Sequence, residues 1–199
     1  MDYKFVPKHF AQKTYEQMKD VLMDPASPAP SIFYYMARGG KEQKNITVWE
    51  PGTVGGEYIK TYGHYHTGDT EEKYWVLHGS GIALLQKPVL DASGNIVADQ
   101  VEEFKVIKLT PGMEVTMLAG WGHVVINTGK TAFVTADDTD VIFDETIPPK
   151  TTGGTDYETI KKMQGFAYYV VDNNGTPALK KNPKYTSVGS VDIAGLHVL

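Results

Sequence analysis

The stretch Gly63–Gly81, GHYHTGDTEEKYWVLHGSG, decides the fold and carries the densest chemistry of this 199-residue chain. His64 and His66 are two residues apart, and side chains at that spacing on a strand point to the same side. Glu72 follows after a spacer long enough to cross a turn and return on a neighbouring strand. The stretch therefore predicts two short strands that bring two imidazoles and one carboxylate to a single point.

A second segment, Pro111–Gly129, supplies a candidate for a fourth ligand. Its sequence is PGMEVTMLAGWGHVVINTG, and His123 begins a strand directly after a glycine-rich corner. Three imidazoles and one carboxylate suit Fe(II), Mn(II), Zn or Ni, and the spacing does not choose among these ions. Four protein ligands on a metal that prefers six leave adjacent positions open, which is typical of a catalytic site.

Short β-rich runs punctuated by glycine and proline dominate the chain from Ser31 to Asp138. Runs this short and evenly spaced predict an all-β fold, an antiparallel sandwich or barrel. Turn residues at Ala92–Asn95 and Asn127–Lys130 separate such runs, and a last hairpin turns at Asn173–Gly175. These positions favour tight connections between antiparallel strands.

Two helices are expected outside these strands. Residues 11–24 have apolar side chains at helical spacing and precede a proline-rich linker, whereas residues 155–165 combine a capping residue with a terminating glycine. Between the strands and the second helix, residues 140–154 form a polar stretch that predicts an ordered excursion or a flexible loop. We expect residues 1–30, the first helix and linker, to pack on a single domain that comprises residues 31–199.

Composition excludes several classes of protein. With 19 basic and 24 acidic residues, the net charge is -5, so a nucleic acid partner is not expected. The chain has no cysteine, which leaves only nitrogen and oxygen atoms to hold a metal. It shows neither a signal peptide nor an apolar run long enough for a membrane span, so we expect a cytoplasmic protein without a membrane partner.

The two histidine-containing segments resemble the two-part motif of the cupins. In that motif H-x-H precedes a glutamate that six residues separate from a glycine, and a later segment contributes one more histidine. Glu72 keeps the interval to Gly79, although its distance from His66 is one residue longer than is common. Glu71 would shorten that spacer and break the interval, so Glu72 is preferred and Glu71 stays an alternative.

The wider sequence, from about residue 45 to 185, is similar to the cupin-type glucose-6-phosphate isomerases. This resemblance implies a double-stranded β-helix, or jelly-roll barrel, with one divalent ion per subunit, Fe(II) before Mn, Zn or Ni. It implies a homodimer that interconverts glucose 6-phosphate and fructose 6-phosphate in glycolysis and gluconeogenesis. The metal ligands that it implies are the same four side chains: His64, His66, Glu72 and His123.

The resemblance also implies which residues bind the phosphate of the substrate. Thr47, Thr61 and Gly63 match the phosphate contacts of the family. Hydroxyl groups and a glycine N–H can bind phosphate oxygens without a cationic cluster. Lys60 is adjacent to Thr61, but neighbouring strand residues face opposite sides, so a phosphate contact from Lys60 is not expected.

Three residues match catalytic positions of the family: Glu72, Tyr74 and Tyr157. Glu72 can remove the C2 proton to form a cis-enediol; alternatively, a hydride passes directly between C1 and C2. The chain departs from the family pattern at Thr155, where a histidine is usual, and near Thr139, where a tyrosine is usual. Residues 140–154 look inserted.

Other functions are compatible with the same ligand set. A metal-dependent dioxygenase or a phosphomannose isomerase would use an identical cluster, and a sugar-binding cupin without activity shares the fold. The complete ligand set favours an enzyme over the binding protein.

Overall fold

The computed structural model describes residues 9–39, 45–139, 141–144, 147–151 and 154–199. Strands of the described residues are β1 His9–Thr14, β2 Ile32–Arg38, β3 Asn45–Trp49, β4 Thr53–Val54, β5 Glu57–Tyr58, β6 His64–His66, β7 Glu72–His78, β8 Gly81–Leu90, β9 Ile96–Leu109, β10 Glu114–Met117, β11 Gly122–Asn127, β12 Phe133–Asp137, β13 Val141–Asp144, β14 Ile147–Thr151, β15 Thr155–Asp156, β16 Tyr168–Asn173, β17 Thr176–Lys181, β18 Ser187–Asp192 and β19 His197–Val198. Helices are α1 Tyr15–Met18, which a 3₁₀ turn Lys19–Val21 continues, and α2 Glu158–Lys162.

Two six-stranded sheets form the body of the fold within the described residues. The front sheet has the order β1-β2-β3-β12-β7-β10, and the back sheet has the order β15-β6-β11-β8-β9-β18. Strands that follow one another in the chain often lie in different sheets and pair with distant strands: β10 pairs with β7, β11 with β6 and β8, and β12 with β3 and β7. This is the connectivity of a jelly roll. The predicted all-β fold is confirmed.

Burial alternates along the strands of the front sheet, so every second side chain faces the interior. Asn45, Thr47 and Trp49 are buried on β3, whereas the residues between them are only partly buried. On β7, Glu72 and Tyr74 are likewise buried and face inward. Polar and aromatic side chains from these two strands therefore share one interior surface.

The centre of the back sheet is covered on both faces. All six residues of β11 are buried. On the outer side, Gln86 of β8 accepts a hydrogen bond of 3.0 Å from the backbone N–H of Ala167 and donates to the hydroxyl groups of Tyr65 and Tyr185. A third sheet, β19-β17-β16-β5-β4, completes the described fold. A strand buried on both faces is rich in apolar residues, as Val124–Ile126 of β11 are.

The N-terminal segment differs from the predicted helix. Helical structure begins only at Tyr15, and the preceding residues, His9–Thr14, form a strand that pairs with β2. Long-range strand pairing overrides local helical spacing here. The position of the helical turn is held by Lys60, whose Nζ donates to the Val21 carbonyl at 2.6 Å and lies 2.6 Å from the carboxylate of Glu57.

The C-terminal elements match their predictions. Helix α2 ends before Gly165, and the Asp156 carboxylate accepts a hydrogen bond of 3.0 Å from the backbone N–H of Thr159 in its first turn. The last hairpin turns at Asn174 and Gly175, both of which have positive φ.

Part of the segment 140–154 forms the antiparallel pair β13–β14. Residues 140, 145–146 and 152–153 lie outside the described residues, as do residues 1–8. No described helix has the length and apolar character to cross a bilayer.

Candidate metal centre

The four side chains predicted as metal ligands lie together, between the two sheets. His64 and His66 come from β6 and His123 from β11, all in the back sheet, whereas Glu72 comes from β7 in the front sheet. Each offers one ligand atom, and these atoms all lie within 4.8 Å of one another. The distances from Glu72 Oε2 to the Nε2 atoms of His66 and His123 are 3.7 and 3.4 Å.

The hydrogen bonds around the cluster fit a bound cation. His64 Nε2 and Glu72 Oε2 are buried and have no hydrogen-bond partner in the described part of the chain. Buried polar atoms are normally paired, so these two atoms need a partner such as a metal ion. His66 Nδ1 lies 2.7 Å from the Thr70 carbonyl. This contact directs His66 Nε2 into the cluster, in the manner usual for metal-binding histidines.

Three of the four residues of the cluster, His64, His123 and Glu72, have the protonation that metal binding requires. Burial lowers the pKa of His64 well below its usual value and lowers the pKa of His123 to about 4. Burial alone would raise the pKa of Glu72, but the imidazole of His66, those of His123 and His64, and the hydrogen bond from Thr139 hold it well below the usual range. Burial alone would lower the pKa of His66, yet the nearby carboxylate of Glu72 raises it overall. At neutral pH the site therefore presents a carboxylate beside neutral imidazoles of His64 and His123.

The structure distinguishes Glu72 from Glu71. Glu72 is buried, and Thr139 donates a hydrogen bond from its hydroxyl group to Glu72 Oε1, which leaves Oε2 facing the imidazoles. Glu71 is exposed and lies outside the cluster. The remaining histidines, His9, His78 and His197, also lie outside it.

A cavity beside the cluster is lined by every residue predicted to contact substrate. Thr47, Thr61, Gly63, Tyr74 and Tyr157 all border it, together with three of the four predicted ligands. Tyr74 packs against the His123 ring, with centroids 5.8 Å apart, and the Tyr157 ring lies 5.1 Å from that of His64. The cavity thus extends from the imidazole cluster toward the residues that the family resemblance assigns to phosphate.

Gly63 has a structural reason to be glycine. Its φ is +78°, and a Cβ atom would lie 2.5 Å from the Phe166 ring and 3.2 Å from the His123 carbonyl oxygen. The residue therefore admits no side chain without movement of its neighbours. Thr61 is also held by the backbone, because its hydroxyl oxygen accepts a hydrogen bond of 3.0 Å from the N–H of Val125.

Two cationic side chains line the cavity, and sequence analysis missed both. Arg38 ends β2, and its Nη1 lies 3.6 Å from Asp137 Oδ2. Lys13 lies on β1 and is half-buried. Long-range pairing of β1 with β2 and of β2 with β3 brings these residues to the cavity, and no local motif surrounds either one.

Thr155, which replaces a histidine of the family pattern, contacts a predicted catalytic residue. Its side chain lies near that of Tyr157 and lowers the pKa of the phenol. Desolvation raises the pKa of Tyr157, and the negative charge of Glu72 adds to this effect. The Tyr157 phenol therefore remains protonated at neutral pH and can donate a hydrogen bond.

Comparison with known proteins identifies the family. The chain matches the family described as glucose-6-phosphate isomerase over residues 35–187. It belongs to the glucose-6-phosphate isomerase family. It is 37% identical to the glucose-6-phosphate isomerase of Thermococcus litoralis over 140 residues, which are 70% of this chain and 62% of the relative. The corresponding protein of Pyrococcus abyssi is 34% identical over 142 residues, which are 71% of this chain and 63% of the relative.

This member of the glucose-6-phosphate isomerase family therefore matches less than two thirds of the length of these relatives. Among solved structures, the cupin domain of Drosophila melanogaster CENP-C aligns with a TM-score of 0.38 and 14% identity over 55% of this chain and 70% of that chain. A likeness at that level carries no argument about function.

Proposed function

We propose that this chain interconverts glucose 6-phosphate and fructose 6-phosphate, the activity for which its relatives are named. The observation that carries the proposal is a cavity beside the four-residue cluster, bordered by three of its members and by all five residues that match substrate positions of the family. Residues from both sheets and from a span of about half the chain contribute to that cavity.

The cluster is the proposed site of one divalent ion, with Fe(II) as our first choice before Mn, Zn or Ni. His64, His66, Glu72 and His123 would hold it. When bound, such an ion acts as a Lewis acid that stabilises negative charge on the oxygens of C1 and C2, by several kcal/mol. The buried, unpaired His64 Nε2 and Glu72 Oε2 support this assignment.

Tyr157 is the proposed hydrogen-bond donor to the sugar oxygens. Its ring lies beside His64, and its hydroxyl group is protonated at neutral pH because desolvation and the charge of Glu72 raise its pKa. Isomerisation requires a proton to move between the oxygens of C1 and C2, and a positioned phenol can hold that proton. In our proposal Thr155, whose side chain lies near the phenol, orients it.

The role proposed for Glu72 depends on the route of hydrogen transfer. In the cis-enediol route it is the base that removes the C2 proton; in the hydride route it is a metal ligand only. Its Oε1 is engaged by Thr139 and its Oε2 faces the imidazoles, so the carboxylate is held as a ligand. A ligand carboxylate is a weak base, which favours transfer of hydride between the carbons unless Glu72 leaves the cluster. The amount of solvent deuterium that enters C2 during turnover in heavy water separates these routes.

Thr47, Thr61 and Gly63 are the proposed phosphate contacts, and Tyr74 is proposed to pack against the sugar next to His123. The family resemblance supports these roles, and so does the position of each residue on the cavity wall. We also propose a homodimer, on the resemblance alone. A coupled assay that detects glucose 6-phosphate formed from fructose 6-phosphate tests the proposed function.

A further inference from the structure

Lys13 is a cation that faces the substrate cavity. Strand β1 alternates between partly buried and exposed residues, and Lys13 lies on the partly buried side, directly opposite Tyr34 of β2. Tyr34 in turn lies opposite Trp49 of β3, and all three side chains line the cavity. The register of the sheet therefore places the Lys13 side chain on the same interior surface as the candidate site.

Lys13 has no carboxylate partner in the described part of the chain. Its Nζ lies over the ring of Tyr62, 5.9 Å from the centroid. Arg38, the other cation of the cavity, differs because Asp137 neutralises its charge. Burial lowers the pKa of Lys13, since its charge is partly removed from water without compensation. A partly buried charge that lacks a counter-ion is a favourable place for an anion.

A row of rings connects Lys13 to the histidine cluster. The Tyr62 ring lies 5.8 Å from that of Tyr157, which lies 5.1 Å from that of His64. Lys13 is thus at one end of the row and the cluster at the other. A hexose phosphate whose C1 and C2 oxygens face the cluster must direct its phosphate, on C6, away from it. Tyr62 is also flanked in the chain by Thr61 and Gly63, the proposed phosphate contacts.

We propose that Lys13 binds the phosphate group of the substrate and supplies the positive charge that the threonine hydroxyls and the glycine N–H lack. This inference rests on the proposed function, because it takes the bound sugar to be a phosphate ester. A phosphate dianion forms stronger hydrogen bonds with an ammonium group than with neutral donors. Lys13 is accordingly a binding residue with no part in hydrogen transfer.

The test compares Lys13→Gln with Lys180→Gln, which removes the same charge from an exposed residue of β17. Lys13→Gln should raise the KM for fructose 6-phosphate about tenfold or more and weaken competition by inorganic phosphate to a similar extent. The kcat should change much less, and Lys13→Arg should recover most of the affinity. Equal KM values for Lys13→Gln and Lys180→Gln, with equal unfolding midpoints, would overturn the proposal.

A second measurement separates this inference from the proposed function. Inorganic phosphate is titrated into the metal-free protein by calorimetry, which requires no turnover. An affinity about tenfold weaker in Lys13→Gln than in Lys180→Gln supports Lys13 as the phosphate ligand even if the sugar reaction were different. Equal affinities overturn the role of Lys13 and leave the isomerase proposal to its own assay.

Discussion

His64 and His123 lie directly opposite each other on paired antiparallel strands, and their ring centroids are 4.5 Å apart. The next pair in the register is Tyr65 with Gly122, where a Cβ atom on the glycine would lie 2.9 Å from the tyrosine ring. Gly122 thus allows β6 and β11 to pair closely beside the histidines. The glycine-rich corner before His123 is a structural requirement of the cluster.

Loss of either opposed imidazole should empty the proposed metal site. We expect His64→Ala and His123→Ala to bind less than about a tenth of the metal of the wild-type chain, since each removes one of four ligands. Metal content after equilibration with a buffered divalent ion gives the measurement. His78→Ala is the matched control because His78 is exposed and lies outside the cluster. A fully loaded His123→Ala protein would show that the ligand set is wrong.

Thr139 should affect the site through Glu72. Thr139→Val removes the hydroxyl that donates to Glu72 Oε1, so the carboxylate loses the contact that directs Oε2 toward the imidazoles. We expect metal affinity to fall about 10- to 100-fold, the range for residues that orient a ligand. Competition with a chelator of known affinity measures this, and Thr139→Ser should retain near-normal binding. Unchanged affinity in Thr139→Val would mean that this hydrogen bond does not position Glu72.

Tyr157 should contribute to turnover and leave metal binding intact. Tyr157→Phe removes the proposed donor to the sugar oxygens, and we expect kcat to fall about 100-fold or more. Steady-state kinetics on samples of equal metal content measure the effect. Tyr35→Phe, on an exposed tyrosine, is the control. A kcat close to that of the control would remove Tyr157 from the reaction.

The stability of the metal-free protein should decrease as the pH is lowered below about 6.5, the ordinary pKa of histidine. The pKa of His123 in the folded state is lowered to about 4, so below its ordinary value of 6.5 the unfolded chain binds a proton that the folded chain does not. Stability is therefore full above the ordinary pKa and is lost as pH falls toward the folded value. His64 acts in the same direction and His66 in the opposite one.

Urea unfolding of the metal-free protein between pH values of about 7.5 and 4.5 measures this dependence. His123→Gln, which has no titrating ring, should show a smaller slope than the wild-type protein over the same range. If both proteins lose stability equally, the buried neutral imidazole of His123 is not the cause.

The candidate cluster could be predicted because its geometry is mostly local. The i and i+2 spacing places His64 and His66 on one side of a strand. The structure also resolves the choice of carboxylate, since β7 begins at Glu72 and alternates from there, which leaves Glu71 exposed. The capping residue of α2 and the glycine after it are equally local signals.

The cations of the cavity could not be predicted, because they depend on pairing between distant strands. Lys13 belongs to a segment whose local spacing indicated a helix, but which pairs with β2. Arg38 reaches Asp137 only because β2, β3 and β12 are neighbours in the front sheet. From the sequence we expected a phosphate site without nearby cations, whereas Lys13 and Arg38 both line the cavity in the structure.

The most direct test of the central claim is the isomerase assay on chelated and reloaded protein. We expect the metal-free chain to form no glucose 6-phosphate from fructose 6-phosphate. Activity should return in proportion to the divalent ion that it binds, up to one ion per chain. Undiminished isomerisation by the metal-free chain, or no isomerisation by the fully loaded one, would contradict the account.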